Sequence, residues 1–288
     1  MSNEILDWSV IDYKSTVELL LQQKGSKFRG KVMEDSYTGK SGVAVNQVGA
    51  VTAQIRTTRH ADTPLIETPH DRRWLYPSDY EWADLIDDSD KLRTIADPTS
   101  PYAQNGAYAL GRAMDDLIIT AATATSLTGE DGTTSTTFPS AQTAGTTAGG
   151  LTVAKLREAM QLLIAAEVDV DNEELYCAIG AQQHDDLLGE TQAISLDFTN
   201  KPVLVDGRIK SFMGFNFCDS QRLALSGTDR TAICWAKSGL HLGIWNNIEV
   251  EIGPRADKSY STQVYVKGTF GATRVEEKKV VAITCSEA

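Results

Sequence analysis

YSTQVYVKGTFGATRVEEKKVVAI, residues 260–283, is the most informative stretch of this chain because its pattern predicts a sheet. Tyr260, Thr262, Val264 and Val266 alternate with Ser261, Gln263, Tyr265 and Lys267. This period of two is typical of a strand with two unlike faces. We therefore expect the stretch to complete a sheet.

The second strong pattern, DPTSPYAQNGAYALGRAMDDLIITAAT at residues 97–123, predicts one long helix. Ser100 can cap the helix and Pro101 can occupy its first position, so we expect it to run from there to about Ala124. At 1.5 Å per residue that helix is about 36 Å long. Its small and apolar residues recur at intervals of four and three, as on one helix face, and are Ala103, Ala107, Leu110, Met114, Leu117 and Ala121.

The rest of the chain mixes helices and strands, which predicts an α+β fold. Thr152 is placed to cap a second helix, a strand is predicted at residues 175–179, and a short helix ends at Gly189. Asp206-Gly207 is the strongest hairpin signal, and Asn246-Asn247 predicts a turn between two later strands. Residues 126–150 are rich in threonine and glycine, which is typical of a loop or loose hairpin.

Composition narrows the possible functions. The chain has 288 residues and a net charge of -12, so its surface is unsuited to broad neutralisation of nucleic-acid phosphates. No stretch approaches the roughly 20 apolar residues of a membrane span, and the first residues do not have the pattern of a secretion signal. We expect no contact with a membrane.

No catalytic, metal or cofactor motif is found in the sequence, so we predict no enzyme activity, no metal and no cofactor. The cysteines lack zinc-site spacing and are expected to be reduced, packed thiols. His184, flanked by Gln182-Gln183 and Asp185-Asp186, would need ligands from elsewhere to bind a metal. Asp115-Asp116 could bind a cation, but a solvated helix face is the simpler interpretation.

Residues 56–98 combine proline, charge and aromatic side chains, and they are too long for an ordinary connection inside a compact domain. An extended hairpin or projecting loop explains this composition. Arginine and aromatic residues are enriched where proteins meet proteins. The candidate inter-subunit contacts are Arg72, Arg73, Trp74, Tyr80 and Trp82. The alternative is that the aromatic residues cover the local core.

Several phrases, in this order, resemble the major capsid proteins of tailed bacteriophages, which have the Hong Kong 97-type fold. They are RHADTPLIETPHDRRWL, DYEWADLID, YALGRAMDDLIITAA, GRIKSFMGFNFCDS and VKGTFGATRVEEKKVVAI. The resemblance covers nearly the whole chain. It implies an N-terminal arm (1–27), an extended loop region (28–97), a peripheral domain with a long spine helix (98–150 and 251–288) and an axial domain (151–250).

The resemblance also implies a partner set. Pentamers and hexamers of the chain would form an icosahedral shell that encloses double-stranded DNA without sequence-specific binding. A separate scaffolding protein and a portal are expected, with assembly in the cytoplasm of the bacterial host and final location in the virion. Nothing in the sequence identifies a lysine, asparagine and glutamate set for the covalent crosslink of some relatives, so none is predicted.

Three alternatives remain open at the level of sequence. An encapsulin-like shell would share the fold and enclose an enzyme cargo. A metal-dependent hydrolase would use His184 with nearby acidic residues and stay a small oligomer. A tail or decoration protein would fail to form closed shells.

Overall fold

The computed structural model describes residues 19–60, 62–63, 65–87, 99–145, 149–190, 204–205 and 208–287. Most of the predicted N-terminal arm, the end of the predicted loop region and the predicted turn at Asp206-Gly207 lie outside these residues. The chain divides into two compact units. The smaller consists of the described parts of Met1–Gly25, Asp79–Arg112 and Asn246–Gly268, and the larger of Ser26–Ser78, Ala113–Trp245 and Thr269–Ala288. The four-part division given by the resemblance stays a prediction.

The helices and strands are numbered along the chain. The helices are α1 (Thr99–Thr123), α2 (Val153–Ala165) and α3 (Ala181–Gly189). The strands are β1 (Met33–Ser36), β2 (Gly42–Val48), β3 (His70–Leu75), β4 (Ser78–Ile86), β5 (Ser126–Thr128), β6 (Thr134–Thr136), β7 (Thr143–Ala144), β8 (Leu175–Ile179), β9 (Leu204–Val205), β10 (Arg208–Ile209), β11 (Ser211–Phe212), β12 (Phe215–Asp219), β13 (Leu225–Ser226), β14 (Asp229–Ala236), β15 (Leu240–Pro254), β16 (Thr262–Arg274) and β17 (Val280–Ser286).

The long helix α1 has 25 residues and begins at Thr99, one residue before the predicted cap. Its buried face includes Leu110 and Met114, as predicted, but continues through Ile118 and Ala122. The predicted Leu117 and Ala121 are only half-buried. A second row of side chains on α1 is also buried, so the buried face is wider than a narrow stripe and is centred one position further along.

The core of the larger unit is a mixed sheet with the strand order β11-β12-β8-β14-β17-β7. Strand β8 runs parallel to β12 and antiparallel to β14, and β14 pairs along its length with β17. Helix α2 packs on this sheet through Leu156, Ala159 and Leu163, all fully buried. Thr152 caps α2 as predicted, its side chain accepting a hydrogen bond from the Lys155 N–H.

A second sheet of the larger unit has the strand order β2-β3-β5-β6. Strands β2 and β3 pair in antiparallel register from Gly42 and Leu75 to Val48 and His70. The polar segment after α1 forms the hairpin β5–β6, in agreement with the predicted loose hairpin. Strand β1 pairs in parallel with the start of β15.

In the smaller unit, β16 lies between β15 and β4. The predicted alternation of β16 is confirmed, because Val264 and Val266 are fully buried while Tyr265 and Lys267 are half-exposed. Tyr260 departs from it because it lies in the turn before β16 with a φ of 60°.

The predicted turn at Asn246-Asn247 is wrong, because β15 continues through both residues to Pro254. Strand pairing with β16 outweighs the local turn preference of asparagine. The hairpin expected around residues 206–207 agrees with the antiparallel pairing of β9 with β10. No helix in the described part of the chain is long and apolar enough to cross a membrane.

Candidate functional site

A long loop, residues 49–69, connects β2 to β3 and leaves bulky apolar side chains in solvent. Ile55 is 90% exposed and Leu65 is 97% exposed. The loop is closed at its base, where the Gly49 N–H donates to the Pro69 carbonyl over 2.8 Å. Several bulky apolar side chains exposed in one segment are typical of a surface that another protein covers. This segment overlaps the first part of the predicted projecting loop, at residues 56–69, while the middle of that predicted loop forms β3 and β4.

Arg72 follows the loop on β3 and points to solvent. Its backbone N–H donates to Asp71, while no salt bridge of its guanidinium occurs within the described residues. An exposed arginine on a strand next to an apolar loop can form a bidentate pair with a carboxylate of another molecule. Of the five predicted contact residues, Arg72 is the most available.

Arg73, the next residue, has the opposite environment. It is 5% exposed, and its two terminal nitrogens donate to Glu277 over 2.7 and 2.8 Å. Its Nε donates to Gln47, whose amide in turn donates to the Val275 carbonyl. The guanidinium is thus occupied inside its own subunit, and we assign Arg73 to subunit stability rather than to direct contact.

Arg274 completes this buried charge network. It is fully buried and donates to the carbonyls of Ala122 and Ala124, at the end of α1, over 3.0 and 2.7 Å. Its guanidinium also lies 5.2 Å from the centre of the Phe138 ring and 3.7 Å from Glu277. Burial lowers the pKa of Arg274, an effect that the Glu277 carboxylate opposes. A cation at this position satisfies the free carbonyls at the C-terminal end of the helix.

The aromatic candidates are half-buried. The indole N–H of Trp74 donates to the Gly129 carbonyl over 2.7 Å, and its ring packs on Gly132 in the turn between β5 and β6. In the smaller unit, Trp82 packs so closely on Gly106 of α1 that a Cβ there would lie 2.5 Å from the ring. Tyr80 is also half-buried. Trp74 and Trp82 therefore pack inside their own subunit, while part of each ring stays accessible.

Asp115, which the sequence offered only as part of a possible cation site or a solvated helix face, has a different role. It is fully buried on α1 and accepts hydrogen bonds from the Ser26 hydroxyl and from the backbone N–H groups of Lys27 and Phe28. It therefore fixes the N-terminal segment on the helix. Neighbouring Asp116 forms an ion pair with Arg222. The interpretation of this pair as a solvated face is thus wrong for Asp115.

The metal alternative depended on His184. The ring of His184 accepts a hydrogen bond from the Ile209 N–H over 3.3 Å. Within the described ranges no group of three or more histidine, cysteine, aspartate or glutamate side chains is arranged to hold a metal ion. All four cysteines are buried thiols without a disulfide.

The model of the phage capsid protein family matches residues 5–287. The chain belongs to the phage capsid protein family. This membership confirms the prediction of a tailed-phage major capsid protein and favours it over the encapsulin-like and hydrolase alternatives. No curated protein sequence matches this capsid protein.

Solved structures similar to this capsid protein confirm the predicted α+β capsid fold. The capsid of cyanophage P-SCSP1u is 16% identical and has a TM-score of 0.73 over 100% of this chain and 97% of that one. A structure of Mycobacterium phage Che8 is 16% identical, with a TM-score of 0.71 over 96% and 97% of the two chains. The capsid of a native GTA particle is 12% identical, with a TM-score of 0.70 over 97% and 96%.

Proposed function

We propose that this capsid protein is the repeating subunit of an icosahedral head, in which pentamers and hexamers enclose double-stranded DNA. The family match over nearly the whole chain carries this proposal. The shell is built by contacts between copies and not by catalysis, metal or cofactor chemistry. We further propose assembly in the cytoplasm of the bacterial host with the help of a separate scaffolding protein and a portal.

The loop at residues 49–69 and Arg72 form the proposed contact surface for a neighbouring copy. Ile55 and Leu65 supply apolar area that is otherwise exposed, and Arg72 supplies a charge without a partner in the described part of its own subunit. Closed shells require the same surface to be covered on each copy. The accessible part of Trp74 adds to this surface, while Arg73 holds β3 against residue 277 from inside. Tyr80 and Trp82, in the smaller unit, stay separate candidate contacts.

The charge of the subunit fits a container for DNA. A net charge of -12 repels the phosphate backbone, so DNA can enter and leave without adhering to the wall. We retain the division into N-terminal arm, extended loop, peripheral domain and axial domain as the proposed organisation of the subunit in the shell.

Expression of the chain alone, followed by size-exclusion chromatography and negative-stain electron microscopy, tests the assembly. Closed shells or curved sheets support it. A chain that stays monomeric at high concentration, both alone and with a coexpressed scaffolding protein of its own phage, contradicts it.

The contact surface needs variants. Ile55→Ser with Leu65→Ser is expected to abolish assembly without lowering the unfolding temperature of the subunit, since both side chains are exposed. Ile55→Leu is the matched control because it keeps the apolar surface. Arg72→Ala is expected to reduce particle yield, and Arg72→Lys to restore part of it. Normal particles from the double serine variant would remove the loop from the contact surface.

A further inference from the structure

Two of the four thiols face each other in the centre of the main sheet. Cys177 on β8 and Cys234 on β14 are direct partners in the antiparallel register of these strands. The Cys234 thiol donates to the Cys177 sulfur over 3.0 Å, and both residues are fully buried. Neither residue serves the contact surface described above.

The positions of these two residues suit a disulfide without backbone movement. Directly opposite residues in an antiparallel pair have Cα atoms about 4.5–5.5 Å apart. Native disulfides span Cα distances of about 4.4–6.8 Å. The register of the two strands therefore already places both residues within bonding range.

The remaining thiols do not have this arrangement. Cys285 on β17 pairs with Arg230, and Cys218 on β12 pairs with Ala178. Because Phe217 is the partner of Cys177, strand alternation puts Cys218 on the opposite face of the sheet. The structure thus selects one pairing among those that four cysteines allow.

We propose that Cys177 and Cys234 are a site of oxidation at which a peroxide converts the thiol pair into a cross-strand disulfide. One sulfur attacks a peroxide oxygen, the O–O bond breaks, and a sulfenic acid and one water form. The second sulfur then attacks the sulfenic sulfur and displaces its oxygen as a second water. The two thiols lose two electrons and two protons, and hydrogen peroxide is reduced to two waters.

The two steps have different rates. Burial raises the pKa of Cys177 well above its ordinary value, so little thiolate is present and the first step is slow. The second step joins sulfurs that are already in contact, so it is fast. Oxidation is therefore expected to end at the disulfide without accumulation of the sulfenic acid.

The bond would link two central strands whose cysteines are 57 residues apart in the chain. Such a link restricts the unfolded chain and stabilises the folded one. In a head subunit, the pair would stay reduced in the host cytoplasm and become oxidised after release into oxidising surroundings. That setting depends on the proposed function, whereas the chemistry of the pair does not.

Peptide mapping without reduction tests the proposal directly. The purified chain is incubated with hydrogen peroxide, quenched, unfolded with N-ethylmaleimide, digested with trypsin and analysed by mass spectrometry. Trypsin places the four cysteines in four different peptides, so each pairing has its own mass. The expected product links the peptides of Cys177 and Cys234. In a second preparation, the chain is expressed in a bacterial strain with an oxidising cytoplasm, so the two thiols meet oxidant before the sheet has folded.

Variants separate the steps. Cys234→Ser is expected to stop the reaction at a sulfenic acid on Cys177, which dimedone traps, and Cys218→Ser is expected to leave the linked pair unchanged. Maleimide adducts on both Cys177 and Cys234 in both wild-type preparations would overturn the proposal, as would a link to Cys218 or Cys285. The wild-type maps decide the question even if Cys234→Ser does not fold.

Discussion

Replacing Glu277 with glutamine is expected to destabilise the subunit more than the same change at the neighbouring Glu276. Its carboxylate accepts both terminal nitrogens of Arg73 and lies 3.7 Å from Arg274. The side chains of these arginines are 6% and 0% exposed, so the variant leaves two buried cations without an anion. Removing one partner of a buried pair costs about 3–5 kcal/mol. The Glu277 side chain is 16% exposed, so access of water favours the lower end, about 3 kcal/mol.

That loss can be measured by thermal unfolding of the unassembled subunit. In a domain of about 150–250 residues, each kcal/mol shifts the unfolding temperature by about 2–4 °C, which gives a decrease of about 6–12 °C. Glu276→Gln is the matched control, because its side chain is 44% exposed and pairs with Lys279 only at the surface. Exposed pairs contribute about 0–1 kcal/mol. Equal unfolding temperatures for the two variants would refute the role given to the buried network.

Three further changes test other parts of the structure. Asp115→Ala leaves three hydrogen-bond donors of residues 26–28 unsatisfied, and each one costs about 1–3 kcal/mol if it stays buried. This segment should then detach more often, so trypsin should cut after residue 27 faster than in wild type. The control Asp116→Ala should be cut at the wild-type rate. Hydrogen bonds from an arginine hold the pKa of Glu287 below its ordinary 4.5. Its carboxylate thus stabilises the fold above pH 4.5 and loses this effect as the pH falls through the lowered pKa. The difference in free energy of unfolding between wild type and Glu287→Gln should therefore disappear in acid. A difference that stays constant with pH would contradict this. Gly106→Ala puts a methyl group 2.5 Å from the Trp82 ring. The resulting overpacking destabilises the fold by about 1–3 kcal/mol, whereas the higher helix propensity of alanine stabilises it by about 1 kcal/mol. The unfolding temperature should therefore fall.

Local patterns predicted the elements of this fold well where the packing agrees with the local preference. Alternation located β16, and the cap and proline signals located the start of α1 to within two residues. The errors occur where distant pairing overrides a local signal. Asn246 and Asn247 prefer a turn, but the strand on either side of them is held in a sheet whose partners come from other parts of the chain.

The candidate site was predictable only in part. Arg72 and Arg73 are adjacent residues of the same type, yet Arg72 is exposed and Arg73 is buried. Their alternation on β3 could have separated them, because Arg73 shares its face with the buried Leu75. Arg274 likewise occupies an inward position of β16. The partner of Arg73 lies 204 residues away, and no local pattern indicates which carboxylate will meet it.

The use of arginines inside the subunit affects the surface that the shell presents. Arg73, Arg222 and Arg230 each pair with a carboxylate of the same chain. Cations that are neutralised in this way cannot release counterions from DNA, which is the main source of non-specific DNA affinity. The acidic net charge and the internal pairing of cations therefore act together. In the proposed function, both keep the wall of the head from binding DNA, and the exposed Arg72 serves the proposed contact with another copy of the chain.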